Sequence, residues 1–157
     1  MITIIPTLEI IKAVTDTNIT GTGANERREA FDCAVDLKSL GDVHILIEGI
    51  LYDRLEKRLT EDHKIFFQSV CRIDNSAKGI VNYNIQKAIN WVADSESKAR
   101  KVIILTNNTS FYSTPNENIK IITPADFLYG ARRILEFTKN KTFISIEEFI
   151  LATFFFG

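Results

Sequence analysis

Short runs of β-branched and other apolar residues alternate along this chain with stretches whose apolar residues recur every three or four positions. Val102-Ile-Ile-Leu105 and Ile119-Lys-Ile-Ile-Thr123 are continuous enough to be strands covered on both faces, as in a parallel sheet. Val43 to Ile47 is a third short strand, and Met1-Ile-Thr-Ile-Ile-Pro6 is expected as an edge strand. Residues 8–15 form an apolar stretch that ends at Asp16, the pattern of a buried strand running into a polar loop. Helical spacing appears at Ala30, Phe31, Ala34 and Val35, within a helix expected over 26–40 and stopped by Gly41. It recurs at Ile50, Leu51, Leu55 and Leu59, then at Ile65, Phe66, Val70 and Ile73 behind the cap-like Thr60, and again from Val81 to Val92. Thr123-Pro-Ala-Asp126 opens another helix, with Thr as the cap and Pro at the first helical position. Strand and helix in alternation predict an α/β three-layer sandwich with a mostly parallel central sheet.

Length and composition fit that architecture. A chain of 157 residues with 45% apolar and 25% charged residues builds one ordinary core, so residues 1–157 are expected as a single domain. A formal charge of −1 gives no global field for a polyanion or a membrane surface, and any such partner must be met by a local patch. Cys33 and Cys71 form neither a disulfide framework nor a paired zinc motif, and they read as reduced thiols of a cytoplasmic protein. The N-terminus has no basic flank and no apolar core of about 7 to 15 residues, as a signal peptide requires. The run from Phe149 to Phe156 falls short of the roughly 20 residues that span a bilayer, so no membrane is expected. Behind the capping-box pattern Ser145-Ile-Glu-Glu148 it reads as a short apolar helix over about 145–156, packed on its own domain or forming a homodimer contact.

Sites in open α/β sheets form at the carboxyl ends of strands, which directs attention to Asp16-Thr-Asn18, to the segment after Ile47 and to Thr106-Asn-Asn108. Taken in order, Ala13-Val-Thr-Asp-Thr-Asn-Ile19, Asn82-Tyr-Asn-Ile-Gln-Lys-Ala-Ile89, Val102-Ile-Ile-Leu-Thr-Asn-Asn108 and Ile119-Lys-Ile-Ile-Thr-Pro-Ala-Asp-Phe-Leu128 resemble the PIN-domain family of metal-dependent ribonucleases. The resemblance covers roughly residues 9–135. It implies a PIN-like fold, a Mg²⁺ or Mn²⁺ site and an RNA substrate, with an antitoxin-like protein as a further partner class. Asp16 matches the first metal-binding acid. The second falls in the helix opening at Ile50, on Asp53 or Glu56 three residues apart, while the most literal frame puts Arg54 there. The third falls on Asn82, with Asn84 as the other frame, and the fourth on Asn108; Thr106 is a strand-end hydroxyl orienting its neighbours.

Two of these positions are neutral amides where the family carries carboxylates. Because Mg²⁺ is charge-compensated mainly by carboxylates, the site implied is a partly neutralised one. It predicts either one weakly held metal with slow phosphodiester hydrolysis or RNA recognition without cutting. Asp16-Thr-Asn18 and Thr106 also resemble the haloacid-dehalogenase-like phosphatases, but Asn18 stands where that chemistry needs a general acid. A pseudo-nuclease that keeps the fold for partner binding is the non-enzymatic alternative. Arg27-Arg28, Lys98 with Arg100 and Lys101, and Arg132-Arg133 are the local basic groups, and Tyr52, Tyr83 and Tyr112 are the stacking candidates.

Overall fold

The computed structural model describes residues 1–139 and 145–156. Five parallel strands form one sheet in the order β3-β2-β1-β4-β5, built from β1 (Ile2–Pro6), β2 (Val43–Glu48), β3 (Arg72–Asp74), β4 (Lys101–Leu105) and β5 (Ile119–Ile122). The α/β three-layer architecture expected from the alternation is therefore present. Helices α1 (Leu8–Thr15), α2 (Thr22–Leu40) and α6 (Pro124–Thr138) pack together on one face, and α5 (Ile85–Ser97) covers the other. The remaining helices are α3 (Gly49–Glu56), α4 (Glu61–Val70) and the short α7 (Ile146–Ile150).

Two expectations about the first fifteen residues are overturned. The Ile2–Pro6 run is the central strand, paired with β2 on one side and β4 on the other, and all five of its residues are buried. Residues 8–15 are helix α1. A short apolar run fits either state by periodicity alone. Here Glu9 in the first turn and Lys12 in the last complement the helix dipole, while Ile10, Ile11 and Ala13 turn into the core. With β1 already supplying the strand, the chain returns across the sheet as a helix.

Two smaller differences follow from the same ambiguity. Ile73 does not continue the α4 stripe; it is the middle residue of β3, a three-residue edge strand whose single apolar side chain left no period-2 signal. Val81 precedes α5, and Asn84 accepts a hydrogen bond from the Lys87 N–H as that helix's cap. Helix α2 begins four residues before the expected 26, and Gly41 ends it at φ 107°, a conformation that favours glycine.

The C-terminal apolar segment packs on its own domain. Helix α7 passes into a π-helical turn at Leu151–Phe155, and the Ser145 side chain makes no capping hydrogen bond. Phe149 lies 4.6 Å from Phe137, and Phe154 stacks on Phe127 at 5.4 Å with the rings 12° apart. Lys101 sits over Phe155 and Phe156 at 5.6 and 5.8 Å. Among the described residues no helix is long and apolar enough to cross a membrane.

Candidate functional site

In the strand order β3-β2-β1-β4-β5, the direction of winding reverses between β1 and β4, so the crevice at their carboxyl ends is the topological switch point. Thr7 and Glu9 follow β1 there, and Thr106, Asn107 and Asn108 follow β4. One carboxylate oxygen, Glu9 Oε1, ties them together. It accepts from Thr7 Oγ1 at 2.6 Å, Thr106 Oγ1 at 2.7 Å and the Asn107 N–H at 3.0 Å. Thr106 Oγ1 in turn accepts the Asn108 N–H at 3.0 Å. Thr106 is thus bonded to Asn108 and to an acid that the sequence reading passed over. Glu9 escaped notice because residues 8–15 read as a strand. The signal available was an acid two residues beyond a strand-ending Pro-Thr. Tyr112 completes the crevice: burial and then the Glu9 carboxylate push its phenol up to about 12.

Asp16 does not stand at a strand end. It follows α1, one full helix away from the carboxyl end of β1, and its carboxylate accepts the Asn18 N–H at 2.9 Å in a local turn. The Asp-Thr-Asn segment therefore lacks the strand context that both family resemblances require. Arg28 braces this turn by donating to the carbonyls of Ala13, Asp16 and Ile19, while Arg27 donates to Asn107 Oδ1 at 2.7 Å. The other basic groups are engaged in a similar way. Arg100 pairs with Glu96, Lys101 donates to Asn118, Arg132 pairs with Glu29 and Arg133 lies over Tyr129.

Two of the expected site residues do come together. Asp53 of α3 and Asn82 of the segment after β3 line one cavity of about 540 Å³ on the carboxyl side of β2 and β3. Ile50, Gly79 and Val81 contribute apolar wall, and Arg54, Lys78 and Tyr83 complete the lining. Lys78 Nζ lies 2.6 Å from Asp53 Oδ2, so the acid already has a cation. Arg54 reaches the Tyr83 carbonyl at 3.5 Å. Asn82 is the middle of a three-residue turn closed by the Tyr83 N–H donating to Val81 O at 3.0 Å. That turn leaves Tyr83 at φ 49°, a left-handed conformation costly for an aromatic residue, with its side chain 84% exposed. Glu56, at the last position of α3, is exposed and outside the cavity lining, so of the two acids of the 53–56 turn only Asp53 borders this cavity.

The cavity and the switch-point crevice are linked through α5. Gln86 donates to Phe111 O, and Asn90 Oδ1 accepts the Ser113 N–H at 3.1 Å, which lays the loop after β4 across that helix. Beneath the cavity, Glu48 is fully buried at the end of β2 and accepts the N–H groups of Ile50 and Leu51, both at 2.9 Å, capping α3. Gly49 permits this close turn: a Cβ there would meet Asn75 Oδ1 at 2.1 Å and Asp74 O at 2.9 Å. Tyr52 points into the core, 6% exposed, with its hydroxyl unpartnered. Of the three tyrosines considered for stacking, Tyr83 alone combines exposure with a cavity wall.

The acids are bonded locally, Asp16 to a turn amide, Asp53 to Lys78 and Glu9 to three donors, and Asn82 and Asn108 are neutral. Among the described residues no group of three or more His, Cys, Asp or Glu stands ready to hold a metal ion. This donor set does not fit a two-metal phosphodiester clamp, which needs several free carboxylates. What it offers is a pair of cations beside an exposed aromatic ring and an amide. No family model, no curated protein and no solved structure matches this chain.

Proposed function

We propose that this chain is an α/β domain that binds cytoplasmic RNA at the carboxyl edge of its sheet and does not cut it. The observation that carries the reading is the cavity between α3 and the segment after β3, where Lys78 and Arg54 stand with Tyr83 and Asn82 around an acid that Lys78 has neutralised. Cations that meet phosphate and an exposed ring that stacks on a base are the two elements single-stranded RNA recognition needs, and both tolerate any sequence. The near-zero net charge is compatible with this, because the attraction is confined to one patch.

The roles assigned to Asp53 separate this reading from metal-dependent ribonuclease action. As a Mg²⁺ or Mn²⁺ ligand, Asp53 would be required, and Asp53→Asn would lose function. As the anion that competes with RNA phosphate for Lys78, it is inhibitory. Fluorescence anisotropy with a labelled single-stranded RNA, in EDTA and again in millimolar Mn²⁺, distinguishes the two. The expected results are binding in EDTA, about threefold to tenfold tighter binding by Asp53→Asn, weaker binding by Lys78→Ala, and intact RNA throughout. RNA cleavage that needs Mn²⁺ and disappears in Asp16→Asn or Asp53→Asn would replace this reading with the nuclease one.

A further inference from the structure

The cavity beside Tyr83 has the size and the lining of a site for one building block rather than a groove for a long backbone. Its volume of about 540 Å³ lies within the range of small-ligand sites. Its chemistry is divided. Ile50 and Val81 give an apolar wall, the Asn82 side chain offers two N–H donors and a carbonyl acceptor, and Arg54 and Lys78 supply positive charge. The Asp53 carboxylate, 2.6 Å from Lys78 Nζ, marks where an anion sits against that ammonium. Tyr83 borders this space, and a left-handed φ of 49°, the turn bond to Val81 O and the Arg54 contact to its carbonyl set its backbone there. A bulky residue kept in that conformation with 84% of its surface exposed gains little from packing, and such outliers cluster at ligand-binding and active sites.

We propose that this cavity is a subsite for a single nucleotide, its base stacked on Tyr83 and edged by Asn82, its phosphate taking the place of the Asp53 carboxylate beside Lys78. The inference rests on the RNA-binding reading and narrows it: one flipped-out nucleotide of the strand is gripped here, while its neighbours lie on the outside. The exchange of one anion for another leaves Lys78 paired before and after binding. A phosphate-only site needs neither the ring nor the amide, and a site for acidic peptide side chains needs no stacking surface.

The test is competition against labelled single-stranded RNA on the full chain by AMP, GMP, CMP and UMP, with ribose 5-phosphate, inorganic phosphate and a glutamate-rich peptide as controls. The nucleotides are expected to displace RNA at concentrations at least tenfold below ribose 5-phosphate. Tyr83→Ala should weaken nucleotide binding about tenfold, within the range found when a stacking ring is removed, and Tyr83→Phe should restore it. Circular dichroism of each variant reports that the fold is kept, and Asn82→Asp, which sets a carboxylate beside the base and phosphate, should also weaken nucleotide binding. Equal competition by ribose 5-phosphate, phosphate or the peptide, or RNA affinity indifferent to Tyr83→Ala, overturns the nucleotide subsite while RNA binding itself stands. Absence of RNA binding by the wild-type chain at low salt overturns the RNA reading, and nucleotides that still bind in a Tyr83-dependent way would then uphold the subsite alone.

Discussion

Glu48, the cap of α3, and Tyr52 within that helix both bury polar atoms, with opposite consequences. The Tyr52 hydroxyl is buried without a partner, a state that costs about 1–3 kcal/mol. Tyr52→Phe is therefore expected to raise the unfolding free energy by about 1 kcal/mol in urea titrations; a loss of stability would mean that the hydroxyl is bonded in solution. Glu48 spends both oxygens on the α3 cap, yet its burial outweighs those two N–H bonds and raises its pKa above the ordinary 4.5, while Lys78 lowers it and Asp74 raises it by smaller amounts. Because the folded state holds this proton more tightly than the unfolded one, the stability Glu48 contributes is present below 4.5 and is lost as pH rises through its raised value. The wild-type unfolding free energy should accordingly fall relative to that of Glu48→Gln as pH increases from 4.5, and a rise would show that the cap bonds dominate. Neither residue could be placed from sequence, because burial depends on what α3 packs against and not on its own pattern.

Helix α5 is tied to the sheet by one acid. Glu96 Oε1 receives Arg72 Nη2 at 2.6 Å, Arg100 Nη1 at 3.1 Å and Thr3 Oγ1 at 3.1 Å, joining the edge strand β3, the central strand β1 and the start of β4. Glu96→Ala leaves these donors without a shared acceptor and is expected to cost about 1–3 kcal/mol, read as a lower urea midpoint with the slope unchanged. A change below a few tenths would mean that water replaces the acid. Caps of the kind found at α6 were legible in advance: Thr123 Oγ1 accepts the Asp126 N–H at 3.2 Å with Pro124 behind it, as Thr-Pro-x-Asp predicts. The Glu96 network was not legible, for its bonded partners lie up to 93 positions from Glu96 and carry no local signature. Gly130 belongs between these cases. The Cβ of Gly130→Ala would come 2.6 Å from the Phe154 ring, so this variant should loosen the C-terminal turn and increase its proteolysis. The sequence shows an apolar tail, and only the packed structure shows where it needs room.

Across the whole molecule, the charge balance of −1 means that RNA affinity should respond to salt only through the few cations of one patch. With Lys78 and Arg54 as the phosphate contacts, the logarithm of affinity should fall with the logarithm of salt at a slope of about 1.4. A slope of several units would place the contact surface elsewhere, on the basic pairs that the structure shows engaged in ion pairs and capping. By itself the sequence determined the class of fold, because short β-branched runs alternating with helical periodicity can bury their apolar faces only as helices layered on a parallel sheet. It also marked Val43–Ile47, Val102–Leu105 and Ile119–Thr123 as strands and put Asn82, Asp53 and Thr106 among the residues to watch. Tertiary structure alone decided that Ile2–Pro6 is the central strand and residues 8–15 a helix, which moved Asp16 from a strand end to a distant turn. An eight-residue apolar run satisfies strand and helix equally, and only the neighbours that bury it choose between them. That choice carries the site with it, since an acid acts on a ligand only where the strand order brings it beside its partners.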